Sequence, residues 1–183
     1  MLAFVPLLIY LVMAPLSVSL ALWLAFAAVF AVAIRAFIAT GSLRLFDAVG
    51  LVLFGGLAVY DGFIDPGGSA TRTSMVLESG FLAGAVWSMG MRQPFTAQYG
   101  LLSERCDPAL LDRANTVLTA VWSTCFALMA GANAWAVVLH RLSPIWASGL
   151  GLAAFAAALT FTWQFGLYID KRPVSWLRSS RDH

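Results

Sequence analysis

Long apolar stretches separated by short polar segments dominate the pattern of this chain. Residues 2–34 carry no charged side chain, and each later apolar stretch ends at a small group of charged residues, glycine or proline. A helix needs about 20 apolar residues to cross the hydrocarbon core of a membrane. The pattern therefore predicts an all-α fold, a polytopic transmembrane helix bundle in one domain over residues 1–183, with five full spans and a short N-terminal hydrophobic helix.

Proline and charged residues set the boundaries of these helices. Pro15 interrupts the first apolar stretch and leaves a segment too short to cross, unless the bilayer thins or the segment re-enters. Asp107 and Pro108 are typical of a helix start, so the helix of the fourth full span begins in water and continues into lipid. The predicted membrane segments are 2–14, which is the short one, and 16–38, 46–64, 75–91, 117–139 and 145–169. A polar loop at 92–115 separates the spans 75–91 and 117–139. A polar tail at 170–183 follows the last span.

The composition agrees with a membrane location, and the basic residues give an orientation. Hydrophobic residues make up 61% of the chain and charged residues 11%, whereas a soluble domain has about 25% charged residues. Of the 11 Lys and Arg residues, all but Arg72 and Arg141 fall on one side of the predicted bundle. Cytoplasmic loops carry the excess of basic residues in membrane proteins. We therefore expect loop 92–115 and the C-terminus to be cytoplasmic.

The sequence lacks the motifs of catalysis and cofactor binding. His140 in a predicted turn and His183 at the C-terminus cannot together hold a haem inside the membrane. No nucleophile elbow, HExxH motif or phosphate-binding loop occurs, and Cys106 and Cys125 are not spaced for a metal site. The net charge of +2 is too small to indicate nucleic acid. We therefore expect no enzyme activity, no cofactor, no metal and no nucleic-acid partner.

Three polar residues within the predicted spans are candidate intramembrane functional residues, because polar side chains are expensive in lipid. They are Glu78, Asn133 and Gln164. For the two amides we favour hydrogen bonding between helices over a polar path for a solute. For Glu78 we favour an ion-paired outer cluster with Arg72, Asp61 and Asp65 over a proton-binding site.

The polar loop is the second candidate region. Phe95 and Tyr99 alternate with amide and hydroxyl residues, which is typical of a segment that lies on the membrane surface with its aromatic rings in the lipid. Arginines of the loop could then meet lipid phosphates or an acidic partner surface. A plain interfacial connector is an equally good interpretation. The candidate lipid- or partner-contact residues are Arg92, Pro94, Phe95, Gln98, Tyr99, Arg105 and Arg113.

Small residues recur at the spacing of helix contacts. Gly80 and Gly84 are four residues apart in one predicted span, and Gly149, Ala153 and Ala157 share one face of the last. Small residues let helices approach closely in lipid. We interpret both patterns as packing surfaces.

Four short stretches occur in an order that is similar to one known family. They are FVPLLIY at residues 4–10, RQP at Arg92–Pro94, Trp122 followed by Gly131 and Asn133, and FTWQFGLYIDKR at residues 161–172. In this order they resemble the intracellular septation protein A family, whose small inner-membrane proteins are linked to bacterial envelope biogenesis. The likeness covers nearly the whole chain. It departs at QPFTAQYG, residues 93–100, where the family usually carries more basic residues.

The resemblance implies a non-enzymatic, multi-pass protein of the bacterial inner membrane that serves septation or cell-envelope biogenesis through protein or lipid contacts. It carries over no catalytic residue, and it implies an architectural role for the matched positions Pro94, Trp122, Asn133 and GLYI at 166–169. The implied partners are membrane lipids and other inner-membrane proteins of division or elongation, with self-association left open. A small transporter or lipid carrier, or an accessory subunit of a larger membrane complex, is the alternative.

Overall fold

The structure, a computed structural model, describes residues 4–100, 108–138 and 142–170. Within these ranges every regular element is helical. The α-helices are α1 (Val5–Met13), α2 (Val18–Thr40), α3 (Leu45–Phe63), α4 (Ala70–Gly90), α5 (Pro108–Val137) and α6 (Pro144–Asp170), and a 3-10 helix covers Phe95–Tyr99. The fold class predicted from the sequence, an all-α bundle, is confirmed.

Four of these helices are long and apolar enough to cross a membrane. They are Val18–Thr40, Leu45–Phe63, Pro108–Val137 and Pro144–Ile169, and they match the predicted spans 16–38, 46–64, 117–139 and 145–169. The predicted span 75–91 is helical but does not join this group, because α4 begins earlier and carries Arg72, Glu78 and several hydroxyl residues. The described residues therefore contain four helices with the character of a span, instead of the five full spans predicted.

The N-terminal helix is too short to cross a bilayer by itself. The nine residues of α1 extend about 14 Å, against a hydrocarbon core of about 30 Å. A turn after Met13 reverses the chain, and Ser17 begins α2 by accepting a hydrogen bond from the amide of Leu20 at 3.4 Å. As the sequence predicted, the break in the first apolar stretch falls at Pro15.

Neighbouring helices in the sequence pack against each other in space, from α1 on α2 to α5 on α6, and α4 also touches α6. Aromatic rings fill the middle of the bundle. Phe4 stacks on Trp122 with 3.7 Å between ring centroids, and Phe81 stacks on Phe126 at 5.6 Å. Trp122 is fully buried and donates a hydrogen bond from Nε1 to Thr162 Oγ1 at 3.1 Å. This matched position of the family resemblance is thus part of the core.

One of the two small-residue patterns is a contact between helices. A Cβ atom added at Gly80 would lie 2.6 Å from Leu53 Cδ1, and one added at Gly84 would lie 3.3 Å from Val49 Cγ2. Close packing of α4 on α3 therefore depends on these glycines. The pattern on α6 is different, because Gly149 has no atom within 4 Å of an added Cβ, and Ala153 and Ala157 are exposed.

The bundle has two polar ends. The basic end holds Arg44, Arg92 and Arg113, and it is where the 3-10 helix meets the starts of α3 and α5. The acidic end holds Asp61, Asp65 and Glu78, and it is where α1 ends close to the starts of α4 and α6.

Candidate functional site at the acidic end

A carboxylic acid and an amide meet inside the acidic end. Asn133 Nδ2 on α5 donates a hydrogen bond of 2.8 Å to Glu78 Oε2 on α4, and the two residues are 3% and 1% exposed. The structure therefore joins two of the three intramembrane polar residues singled out in the sequence, and the interhelical hydrogen bond expected for Asn133 is present. The third, Gln164, lies exposed on α6.

Glu78 has a different partner from the one expected. The sequence suggested an ion pair with Arg72, but Arg72 is exposed and lines another part of the acidic end. The two residues are six positions apart on one helix, which turns their side chains about 120° away from each other. Glu78 therefore faces α5, where an amide in the middle of an apolar stretch is its partner.

A cleft of about 430 Å³ opens beside this pair. It lies between the end of α1, the start of α4, the end of α5 and the start of α6. Its walls are mainly apolar or small side chains, and Glu78 and Asn133 provide polar groups together with Ser74 and Ser148. Apolar walls with a few convergent polar groups are typical of small-molecule and cofactor sites.

Tyr10, on α1, borders the same polar region. The ring is fully buried, its hydroxyl donates to the carbonyl of Ala70 at 3.3 Å, and it lies 3.2 Å from Ser74 Oγ. Tyr10 was not among the candidate residues predicted from the sequence. A tyrosine in an uncharged apolar segment was the signal, since a buried phenol needs a hydrogen-bond partner.

The polar loop is built differently from the surface segment that the sequence suggested. Phe95 and Thr96 are fully buried, and Phe95 stacks on Phe46 with 3.8 Å between centroids. Thr96 donates a hydrogen bond of 2.8 Å to the carbonyl of Asn115. The interpretation of this segment as lying on lipid with its aromatic rings down is therefore wrong for Phe95, because the 3-10 helix turns that ring into the bundle.

The two other predicted contact residues of the 3-10 helix also bind within the protein. Gln98 Oε1 accepts a hydrogen bond of 2.8 Å from the amide of Leu45, which begins α3. The hydroxyl of Tyr99 donates to Asp47 Oδ1 at 2.9 Å, and the Arg44 guanidinium lies 4.9 Å from the centre of the tyrosine ring. Burial, and then the charge of Asp47, raise the pKa of Tyr99, so the phenol stays protonated as a donor.

Of the remaining loop candidates, Arg92 and Arg113 are exposed at the basic end, whereas Pro94 is buried. Arg92 has a φ of 54° and follows directly after α4. Arg105, Cys106, His140 and the tail from residue 171 lie outside the described residues.

The described ranges contain no group of three or more His, Cys, Asp or Glu residues placed to hold a metal ion. Comparison with models of known protein families, with curated proteins and with solved structures finds no match. The four helices that are long and apolar enough to cross a membrane indicate that this chain is a membrane protein.

Proposed function

We propose that this chain is a non-enzymatic, multi-pass protein of a bacterial inner membrane that holds an amphiphile in the cleft beside Glu78. One observation carries the proposal: a buried acid–amide pair borders a cleft whose other walls are mainly apolar. Such a cleft suits a molecule with an apolar body and a polar or cationic end. Membrane lipids are the most abundant molecules of that kind around a spanning helix.

The proposal includes the arrangement of the chain in the membrane. α4 is the fifth crossing segment, since it packs between α3 and α5, both of which have the character of spans. Its buried Glu78 is satisfied by Asn133 instead of by water, which makes a polar residue tolerable there. α1 is a re-entrant segment, because its length covers half of the hydrocarbon core. The excess of basic residues at the basic end and in the C-terminal tail supports a cytoplasmic location for both.

The test is the amount of amphiphile that the purified protein retains. Native mass spectrometry after extensive detergent washing should find one tightly held lipid on the wild type. Glu78→Gln removes the charge at nearly constant volume, and Leu152→Trp fills the cleft, so both should lose most of that lipid. Leu150→Trp is the matched control, because Leu150 is exposed on the same helix and does not line the cleft. Wild-type protein without bound lipid, or equal retention in the Glu78 variant, would refute the proposal.

A lipid carrier is the alternative that the same cleft favours. A carrier moves its ligand between the two leaflets, so reconstituted liposomes should show protein-dependent flip of a fluorescent lipid. Glu78→Gln and Asn133→Ala should abolish that flip, whereas Gln164→Ala, on the exposed face of α6, should not. Retention of lipid without any flip would support a static binding role.

A role in envelope biogenesis or septation through partner contacts rests on the family resemblance and on the exposed arginines of the basic end. Arg92 and Arg113 are held at the surface while the 3-10 helix between them is anchored in the bundle. Changing Arg92, Arg105 and Arg113 to Gln should weaken association with inner-membrane proteins or anionic lipids and leave insertion intact. Unchanged co-purification and lipid binding would reject this role.

A further inference from the structure

A second cavity lies on the other side of α4, away from Glu78. It has a volume of about 340 Å³ and is formed by the end of α3, the turn at residues 65–69 and the first turns of α4. Its polar walls come from Asp61, Asp65, Ser69, Arg72 and Thr73. Neither the family resemblance nor the proposed cleft function uses this cavity.

One residue that lines this cavity carries an unpartnered carboxylate. Asp61 is 4% exposed, and neither of its two carboxylate oxygens has a hydrogen-bond partner among the described residues. A buried carboxylate without a donor or a counter-charge is strongly unfavourable. The site is therefore built for a group that brings positive charge and hydrogen-bond donors to Asp61.

A second carboxylate faces the same point. A Cβ atom added at Gly68 would lie 3.6 Å from Asp61 Oδ1 and 3.7 Å from Asp65 Oδ2. The missing side chain at Gly68 thus leaves open the space between the two acids. A primary ammonium group has three N–H donors and can bond to several carboxylate oxygens at once.

Arg72 supplies the opposite charge from the α4 side of the cavity. It lines the cavity, and no ion pair joins it to Asp61 or Asp65 in the described part of the chain. A bare metal ion would meet this arginine as a like charge, and the described residues offer no group of three metal ligands. Two acids facing one free guanidinium instead match a zwitterion, with an ammonium for the acids and a phosphate for the arginine.

The surroundings of the cavity indicate a lipid as the source of that zwitterion. α3, a helix with the character of a span, ends at Phe63, so the cavity lies where a spanning helix leaves the hydrocarbon core. Beside it, Phe63 and Ile64 are 80% and 68% exposed, and Tyr60, which lines it, is 48% exposed. These side chains offer an apolar surface to acyl chains directly next to the charged groups.

We infer that the cavity between α3 and α4 binds the head group of a phosphoethanolamine lipid, with the ammonium on Asp61 and Asp65 and the phosphate on Arg72. The choline head group is the natural comparison, because it carries the same phosphate but no N–H donor. The site should therefore distinguish two lipids of equal charge by the hydrogen bonds of the ammonium.

The test measures binding of short-chain phosphatidylethanolamine and phosphatidylcholine to the full-length protein in detergent, by native mass spectrometry and by the shift in unfolding temperature. Wild-type protein should prefer the ethanolamine lipid by about tenfold, which corresponds to about 1.4 kcal/mol. Asp61→Asn should remove most of this preference, and Arg72→Gln should weaken both lipids. Asp61→Asn removes an uncompensated buried charge, so this variant should fold at least as well as the wild type.

Asp112→Asn serves as the matched control, since it changes an exposed acid at the basic end of the bundle and should leave the ethanolamine preference intact. In a Leu152→Trp background, which fills the cleft beside Glu78, the preference should persist, so the two binding sites are tested separately. Equal binding of the two lipids, or an unchanged preference in Asp61→Asn, would overturn the inference. The inference would also be overturned if free phosphoethanolamine bound as tightly as the lipid. The same holds if Ca²⁺ alone stabilised the wild type but not Asp61→Asn.

Discussion

The hydroxyl of Tyr99 donates a hydrogen bond of 2.9 Å to Asp47 Oδ1, and so joins the 3-10 helix to the first turn of α3. Asp47 is 2% exposed, and its second carboxylate oxygen has no partner among the described residues. The tyrosine is therefore the main donor to a buried acid. This contact, together with the bond between Gln98 and the amide of Leu45, holds the segment after α4 against the bundle.

Tyr99→Phe should destabilise the protein by about 1–3 kcal/mol, because it leaves a buried acceptor without its donor. Burial raises the pKa of Tyr99 above its usual value of 10, so folding favours the protonated phenol. The stabilisation is complete below pH 10 and should be lost as the pH rises above that value. Unfolding in detergent, followed between pH 7 and pH 11, measures both effects.

Tyr60→Phe is the control for this prediction, since Tyr60 is about half exposed. It should change stability by less than about 0.5 kcal/mol. An equal loss in the two variants would show that the hydrogen bond to Asp47 carries no stability.

Gly80→Leu should destabilise the contact between α3 and α4. An added Cβ would already lie 2.6 Å from Leu53 Cδ1, so a leucine forces the helices apart at a cost of about 1–3 kcal/mol. Gly56→Leu is the matched change on α3, because no atom lies within 4 Å of a Cβ there. Unfolding by mixed detergent should separate the two variants, and similar stabilities would contradict the close approach at Gly80.

A double-mutant cycle should detect the hydrogen bond between Trp122 and Thr162. The changes Trp122→Phe and Thr162→Val are expected to couple by about 0.6 kcal/mol, within a range that reaches about 1.7 kcal/mol for such bonds in membranes. Thr160→Val replaces the second partner in the control cycle, because Thr160 is exposed and bonds to the carbonyl of Ala156 on its own helix. The control cycle should give no coupling, and a coupling equal to that of Thr162 would reject the assignment.

Thiol labelling should distinguish a loop anchored in the bundle from one lying on the membrane surface. In a background without Cys106 and Cys125, single cysteines at Arg92 and Ala97 should react quickly with a maleimide, since both positions are exposed. A cysteine at Phe95 should stay protected until the protein is unfolded, because this position is fully buried. Fast reaction at all three positions would contradict the anchored segment. With an impermeant reagent and sealed vesicles, the same variants also test the proposed cytoplasmic side.

The helices were predictable because their signals are local. Hydropathy marks α2, α3, α5 and α6, and Pro15 and Pro108 fix two of their boundaries within a few residues. The predicted span 75–91 was harder, since Arg72 and Glu78 lower the apolar character of α4 below that of the four helices with the character of a span. No local pattern distinguishes a crossing helix that carries charged residues from a helix that is merely surrounded by other helices.

The direction of single side chains was less predictable. Phe95 sits in a polar loop, and a ring there can be buried equally well in lipid or in protein, because both surroundings are apolar. The partner of Glu78 is 55 residues away in the sequence. Whether Glu78 meets Arg72 or Asn133 therefore depends on how α4 is rotated against α5. Asn133 was identified as a hydrogen-bonding residue, but pairing it with Glu78 required the packed helices.

The short first helix has a consequence for how the protein is made. Phe4 is synthesised well before Trp122 and Phe155, yet its ring stacks on the first and meets the second edge-on at 6.4 Å. Those two residues lie on α5 and α6. The segment that contains Phe4 must therefore wait at the translocon or the membrane surface until α5 and α6 have been inserted, and only then can it dock.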